Sequence, residues 1–334
     1  MPTKLLAKFL LIILFQILIT KAYAMKIAEP EYYVKLDMHS CPRTVIINGV
    51  IIEDNPDGYS SSTEFPVNHW IRDGENTLEL FMLSDEDMDE DVNETSRCNA
   101  SVWVKGLVNG EEQNHKVVDL NYTPNLRLPQ KDRYKSSLPA GTYQLTGVNP
   151  TLSDKHRDLT IGEIKTGEDY FNAGGTKFYR NFTANVPFPE WSFFTAEKIF
   201  SYPLNEDKFL ALEKVVWPKL VKIWDMFENK EIDKILPLFE TRSQELDLAF
   251  YRKPGDSLKS FEMDLKNVYK KGLPFDRRAD DEMQLVISYN EKLVTMVNAA
   301  TQQGSVMFYE KESDSVTFFD IVWMKKDGKW SIIR

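Results

Sequence analysis

The densest group of ionisable side chains lies in Ser84-Asp-Glu-Asp-Met-Asp-Glu-Asp-Val-Asn-Glu94. Three chemistries suit such a run. Its acids can simply repel one another in a solvated loop. They can steer a basic partner toward the protein. Alternating oxygens from Asp85, Asp87, Asp89 and Asp91 also resemble the hard ligands that calcium takes, although the glycine and distal bidentate glutamate of a helix-loop-helix calcium site are missing. Where the run has a function, Asp85, Glu86, Asp87, Asp89, Glu90 and Asp91 are the expected partner-binding residues, and no metal is expected to be resident.

A second candidate is Asp320, within Val316-Thr-Phe-Phe-Asp-Ile-Val-Trp323. Read as one strand, this segment puts Asp320 on the same face as Val316, Phe318 and Val322, where a carboxylate is desolvated and its pKa raised. The plainer reading pairs that carboxylate with a neighbouring Tyr, Trp or Arg, or places it at a domain contact. No histidine follows His156, so the C-terminal half lacks the commonest proton carrier. His39, His69, His115 and His156 are spaced unlike any compact metal motif, and His-Glu-x-x-His, Gly-x-Ser-x-Gly and Gly-x-x-x-x-Gly-Lys do not occur. The expectation is a protein without catalytic residues and without a cofactor. Gly174-Gly175 reads as a hairpin turn and not as a phosphate cradle.

Cys41 and Cys98 are the only cysteines. Neither has the Cys-x-x-Cys spacing or adjacent base of a reactive thiol, and a structural disulfide is expected in an exported chain. Export is suggested by residues 1–24. Lys4 and Lys8 precede an apolar run from Phe9 to Ile19, which ends at Ala22-Tyr-Ala24, the form of a cleaved leader. The run is too short to cross a bilayer, and no membrane span is expected in the mature chain. Loss of the leader removes three lysines from 41 basic against 51 acidic side chains and takes the net charge from −10 to about −13. Such a surface repels nucleic acid and anionic lipid and attracts basic proteins. Four Asn-x-Ser/Thr sites, at Asn93, Asn99, Asn121 and Asn181, are present.

Two grammars divide the mature chain. Residues 25–203 show short runs of alternating apolar side chains, such as Thr77–Leu83 and Phe178–Ala184, punctuated by Gly, Pro, Asn and Asp. This pattern predicts an all-β antiparallel sandwich. Residues 204–334 begin with Phe209, Leu212, Val216, Leu220, Ile223 and Phe227 at helical spacing, then Ile232, Ile235, Leu236 and Phe239. Pro218 and Pro237 predict kinks or restarts. A further helix is expected over 257–270, followed by strands near 283–289, 292–298, 306–309, 316–325 and 330–333, an α+β arrangement.

Within the first half, Pro66-Val-Asn-His-Trp-Ile-Arg-Asp-Gly-Glu-Asn-Thr-Leu-Glu-Leu80 resembles the strand-turn-strand of jelly-roll and immunoglobulin-like sandwiches. Asp73-Gly74 supplies the turn, Asn76 is placed to bind its backbone, and Leu78 and Leu80 return to the core. In the second half, Leu220–Phe239 and Phe319–Ile333, with its Asp327-Gly328 turn and terminal Trp330, resemble the NTF2-like family. That resemblance implies an α+β cone with a pocket at its mouth and dimerisation through the sheet, and it decides little about activity.

The sequence therefore leads us to expect a non-catalytic binding protein, periplasmic or secreted, which acts as an immunity protein by masking a basic toxin or effector. One alternative is an envelope carbohydrate-binding protein with Trp70 or Trp103 as a stacking platform. The other is a small-molecule enzyme or ligand carrier built around Asp320.

Overall fold

The computed structural model describes residues 27–55, 58–82, 96–108, 111–123, 128–129, 132–145, 148, 150–153, 158–167, 176–201, 205–288, 290–299, 304–310 and 315–334. The leader, the acids from Asp85 to Asp91 and the Gly174-Gly175 turn lie outside the described residues. Among the described residues, no helix is long and apolar enough to cross a membrane.

The first part is built from strands. In chain order they are β1 (Ala28–His39), β2 (Arg43–Ile47), β3 (Val50–Asn55), β4 (Ser61–Pro66), β5 (Gly74–Met82), β6 (Arg97–Val108), β7 (Glu111–Tyr122) and β8 (Tyr134–Lys135). They continue with β9 (Gly141–Gln144), β10 (Thr151–Leu152), β11 (Leu159–Ile161), β12 (Lys165–Gly167) and β13 (Thr176–Ala184). One antiparallel sheet runs β4-β1-β6-β7-β8, and a second runs β10-β9-β11-β13-β5-β2-β3 with β12 beside β13. Period-two burial explains the pairing. Val34, Leu36 and Met38 of β1 lie opposite Val102, Ala100 and Cys98 of β6, and all six point into a single core shared with Leu78 and Leu80 of the other sheet. The two sheets and their shared core are compatible with the expected sandwich.

The expected disulfide joins Cys41 to Cys98 with a Cα–Cα distance of 5.8 Å, closing a loop over 57 positions. It pins the end of β1 to β6 inside the core. The turn before β5 follows its sequence signature. Gly74 has φ +84°, and Asn76 accepts the Arg72 N–H at 2.9 Å while donating to the Gly74 carbonyl at 3.0 Å.

The second part opens with α1 (Glu206–Glu228), then α2 (Ile232–Ile235), a 3-10 turn over Leu236–Phe239, α3 (Glu240–Ala249) and α4 (Asp256–Lys270). The strands follow: β14 (Met283–Ile287), β15 (Leu293–Asn298), β16 (Val306–Glu310), β17 (Ser315–Phe319), β18 (Val322–Lys326) and β19 (Lys329–Ile332). They form a sheet of order β14-β15-β18-β19 and a separate β16-β17 hairpin. The Asp-Gly turn is as expected, with φ +50° at Asp327 and +71° at Gly328 between the antiparallel β18 and β19.

Three sequence expectations change here. Pro218 sits inside α1 without ending it, because Leu212 and Val216 before it and Leu220 and Ile223 after it are buried in one cluster. The expected strand over 316–325 is two strands, since the chain leaves the β16 partner and joins β15 on either side of Asp320-Ile321. The helix α3 was not foreseen.

A group of aromatic rings runs through the otherwise aliphatic core of this second part. Phe239 and Phe261 lie 4.4 Å apart, and Phe261 meets Phe319 edge-on at 5.4 Å. Together with Phe227, Phe308 and Trp224 these rings occupy the space between the helices and strands.

The two parts meet along a polar seam. Asn68 donates to the Ala249 carbonyl at 2.6 Å, and Tyr251 Oη donates to the Pro30 carbonyl at 3.2 Å. The Asn48-Gly49 hairpin turn has both residues at positive φ, +51° and +77°. Gly49 is needed for a second reason, as a Cβ there would lie 2.7 Å from the backbone nitrogen of Asn290, whose N–H donates to the Gly49 carbonyl at 3.2 Å.

Candidate functional site

A cleft of about 600 Å³ opens between the two parts. The first part supplies Val50–Asp54 of β3, Phe65 and Pro66 of β4, and His69-Trp70. The second supplies Arg242 and Leu246 from α3, Val286 and Thr295 from β14 and β15, and Phe318–Asp320. Arg334 reaches in from the end of the last strand.

Its placement explains why α3 carries polar residues on its buried face. Ser243, Glu245, Asp247 and Ala249 are the buried positions, and the acids have backbone or cationic partners. Glu245 Oε1 accepts the Ser192 N–H at 2.7 Å, and its Oε2 accepts Arg334 Nη1 at 2.8 Å. Asp247 accepts the N–H groups of Gly255 and Ser257 at 2.7 and 2.8 Å, securing the start of α4. Arg334 Nη2 donates to the His69 carbonyl at 2.6 Å, and its guanidinium lies 4.5 Å from the Trp70 ring centre.

Two charged groups in the cleft differ from these. Arg242 takes part in no hydrogen bond or ion pair among the described residues, and its Nε is buried without an acceptor. Its guanidinium lies over Phe239 and Phe261, 5.9 and 5.7 Å from the ring centres. Burial and the neighbouring Arg334 push its pKa down to about 10, so it stays cationic at neutral pH. Asp320 stands where β17 gives way to β18, open to the cleft yet crowded by its walls. Burial raises its pKa and Arg242 opposes that shift. The two groups feel each other without forming an ion pair. Gly304 makes room for this carboxylate, because a Cβ there would fall inside contact distance of Asp320 Oδ1.

His69 is the histidine of the cleft. Burial, then the charges of Arg334 and Arg242, hold its pKa well below the usual imidazole value, which makes it a weak base. Its ring packs against Trp70 at 4.8 Å and Phe250 at 5.5 Å.

Of the residues named from sequence, the structure brings Asp320, His69 and Trp70 to one place. Trp70 is buried beneath Arg334 and so is not the open stacking platform of the carbohydrate reading. Trp103 lies on the outer face of β6, half-buried, with Lys116 and Lys35 5.4 and 5.9 Å from its ring centre. Sequence reasoning missed Arg242, Glu245 and Arg334. The buried face of α3 is polar, so no apolar period announces that helix, although Glu, Gln, Leu and Ala over 240–249 are good helix formers. No protein-family model, curated protein or solved structure matches this chain.

Proposed function

We propose that this chain is a non-catalytic binding protein, exported to the periplasm or secreted, which masks a basic effector protein and holds it in the cleft between its two parts. The observation that carries the reading is the pair Arg242 and Asp320. Both are ionisable, both line the cleft, and among the described residues neither forms a hydrogen bond or an ion pair, so their free energy improves when a partner supplies the missing groups. The net charge of −10 favours a basic partner, and the buried disulfide suits an oxidising compartment. His69 is too weak a base to favour proton-transfer chemistry there. The C-terminal part is read as an NTF2-like scaffold whose customary pocket is taken up by phenylalanine rings, leaving recognition to the cleft outside them.

A small-molecule carrier is the second reading. It is favoured by the cleft volume, which falls in the range of ligand pockets, and by the approach of Arg242 to Asp320.

The test is a photo-crosslinking residue in place of Phe318, which is 46% exposed at the cleft. Crosslinking in the native host is expected to capture one specific basic protein. Copurification of a partner that never crosslinks from this position would put the interface elsewhere.

A further inference from the structure

Five consecutive residues of β3, Val50–Asp54, line the cleft. Side chains along a strand alternate between faces, so an unbroken run can line one groove only where the strand presents its edge. Among the described residues, β3 is the last strand of its sheet and pairs with β2 alone. Among the described residues, Ile51, Ile52, Glu53 and Asp54 make no backbone hydrogen bond outside that pairing. Outside the bulge at Ile52, where Val45 and Ile46 pair with Glu53 and Ile51, alternate N–H and C=O groups of this edge are therefore available to an added strand.

Arg242 completes the picture from the opposite wall. Its guanidinium is cationic, partly shielded from water and, among the described residues, without an ion-pair partner, an arrangement that is costly until an anion arrives. Other neighbouring charges restrict which anion fits. Glu53 is held by Arg43 at 2.6 Å and Glu245 by Arg334, whereas among the described residues Asp320 and Asp54 form no ion pair, Asp54 accepting the Thr44 hydroxyl at 2.6 Å. A dianion such as phosphate would be repelled by these two carboxylates, and a single carboxylate suffers less. Val286, Val297, Val322 and Phe318 offer an apolar surface beside it.

We propose that the cleft takes the C-terminal end of an extended peptide, whose backbone adds to the free edge of β3 while its terminal carboxylate pairs with Arg242. The proposal rests on the cleft-binding reading above and names the part of the partner that enters.

The experiment uses the full chain, immobilised, and a pool of random hexapeptides synthesised once as free acids and once as C-terminal amides. The unaltered protein is expected to retain the acids at least tenfold better than the amides. Arg242→Gln should lower retention of the acids to the level of the amides. Asp320→Asn should raise retention of the acids, a gain that misfolding cannot produce. Thermal melts of both variants establish that they are folded. Equal retention of the two pools by the unaltered protein, or retention of neither, overturns the proposal. If a partner still crosslinks from position 318 while neither pool is retained, the cleft reading stands and the assignment to a terminal carboxylate falls.

Discussion

The guanidinium of Arg334 covers the ring of Trp70 at 4.5 Å, so the end of the last strand closes over an aromatic side chain that the sequence places 264 positions earlier. The same guanidinium ties Glu245 and the His69 carbonyl together. One side chain thus joins α3, the turn before β5 and the last strand, and it forms one wall of the cleft.

Removing Arg334 should therefore loosen the seam. Arg334→Ala leaves Glu245 buried with one oxygen unpaired, and breaking a buried pair in this way costs about 3–5 kcal/mol. Urea denaturation is expected to show a loss of that size. A change below about 1 kcal/mol would mean that the seam contributes little to stability.

The disulfide closes a long loop, and removing it with Cys41→Ala and Cys98→Ala should lower stability by about 4 kcal/mol on the chain-entropy account. Because both sulfurs are buried, a mild reductant should act slowly on the folded protein. Comparison of urea midpoints for the oxidised protein and the double variant tests the first point, and the rate of thiol appearance tests the second.

Acid should weaken the fold through His69. Its folded pKa lies well below the usual imidazole value of about 6.5, so the unfolded chain takes up a proton more readily than the folded one. The stabilisation is complete above about pH 6.5 and is lost as the pH falls from there through the folded value. The groups facing the ring are Arg334, Arg242, Trp70 and Phe250, and both charged ones disfavour protonation. Melting temperature measured from pH 7.5 to 5 should fall, and His69→Gln should flatten that slope. An unchanged slope in the variant would assign the effect to other groups.

Gly304→Ala tests the position of Asp320. The added methyl meets the Asp320 carboxylate, with the Phe319 carbonyl 3.2 Å away on another side. The side chain can swing aside, so the expected cost is modest, about 1 kcal/mol. Displacing the carboxylate should also alter retention of carboxylate-bearing peptides, while global secondary structure by circular dichroism stays the same.

The parts legible in the sequence were those with a local physical cause. Leu78 and Leu80 alternate because one face of β5 is buried. The run from Leu212 to Phe227 repeats at helical spacing because one face of α1 is buried, and Asp327-Gly328 announces its turn because few residues accept positive φ. The failures also have local causes. The stretch 316–325 is continuous in β-forming residues, and nothing within it says that its two halves pair with different strands. Pro218 is a sound breaker in isolation and was overridden by core contacts on both sides. In α3 the buried positions are polar, so the periodicity that betrays other helices is missing.

Sequence by itself determined the order of strands before helices, the disulfide and the turn chemistry. Tertiary structure alone decided the cleft. Its polar contacts join residues 181 positions apart, Asn68 and Ala249, and 265 apart, His69 and Arg334. Hydrophobic periodicity reports only which face of an element is buried. A hydrogen bond or a missing counter-ion depends on which distant groups arrive beside it, and that is settled when the two parts pack together.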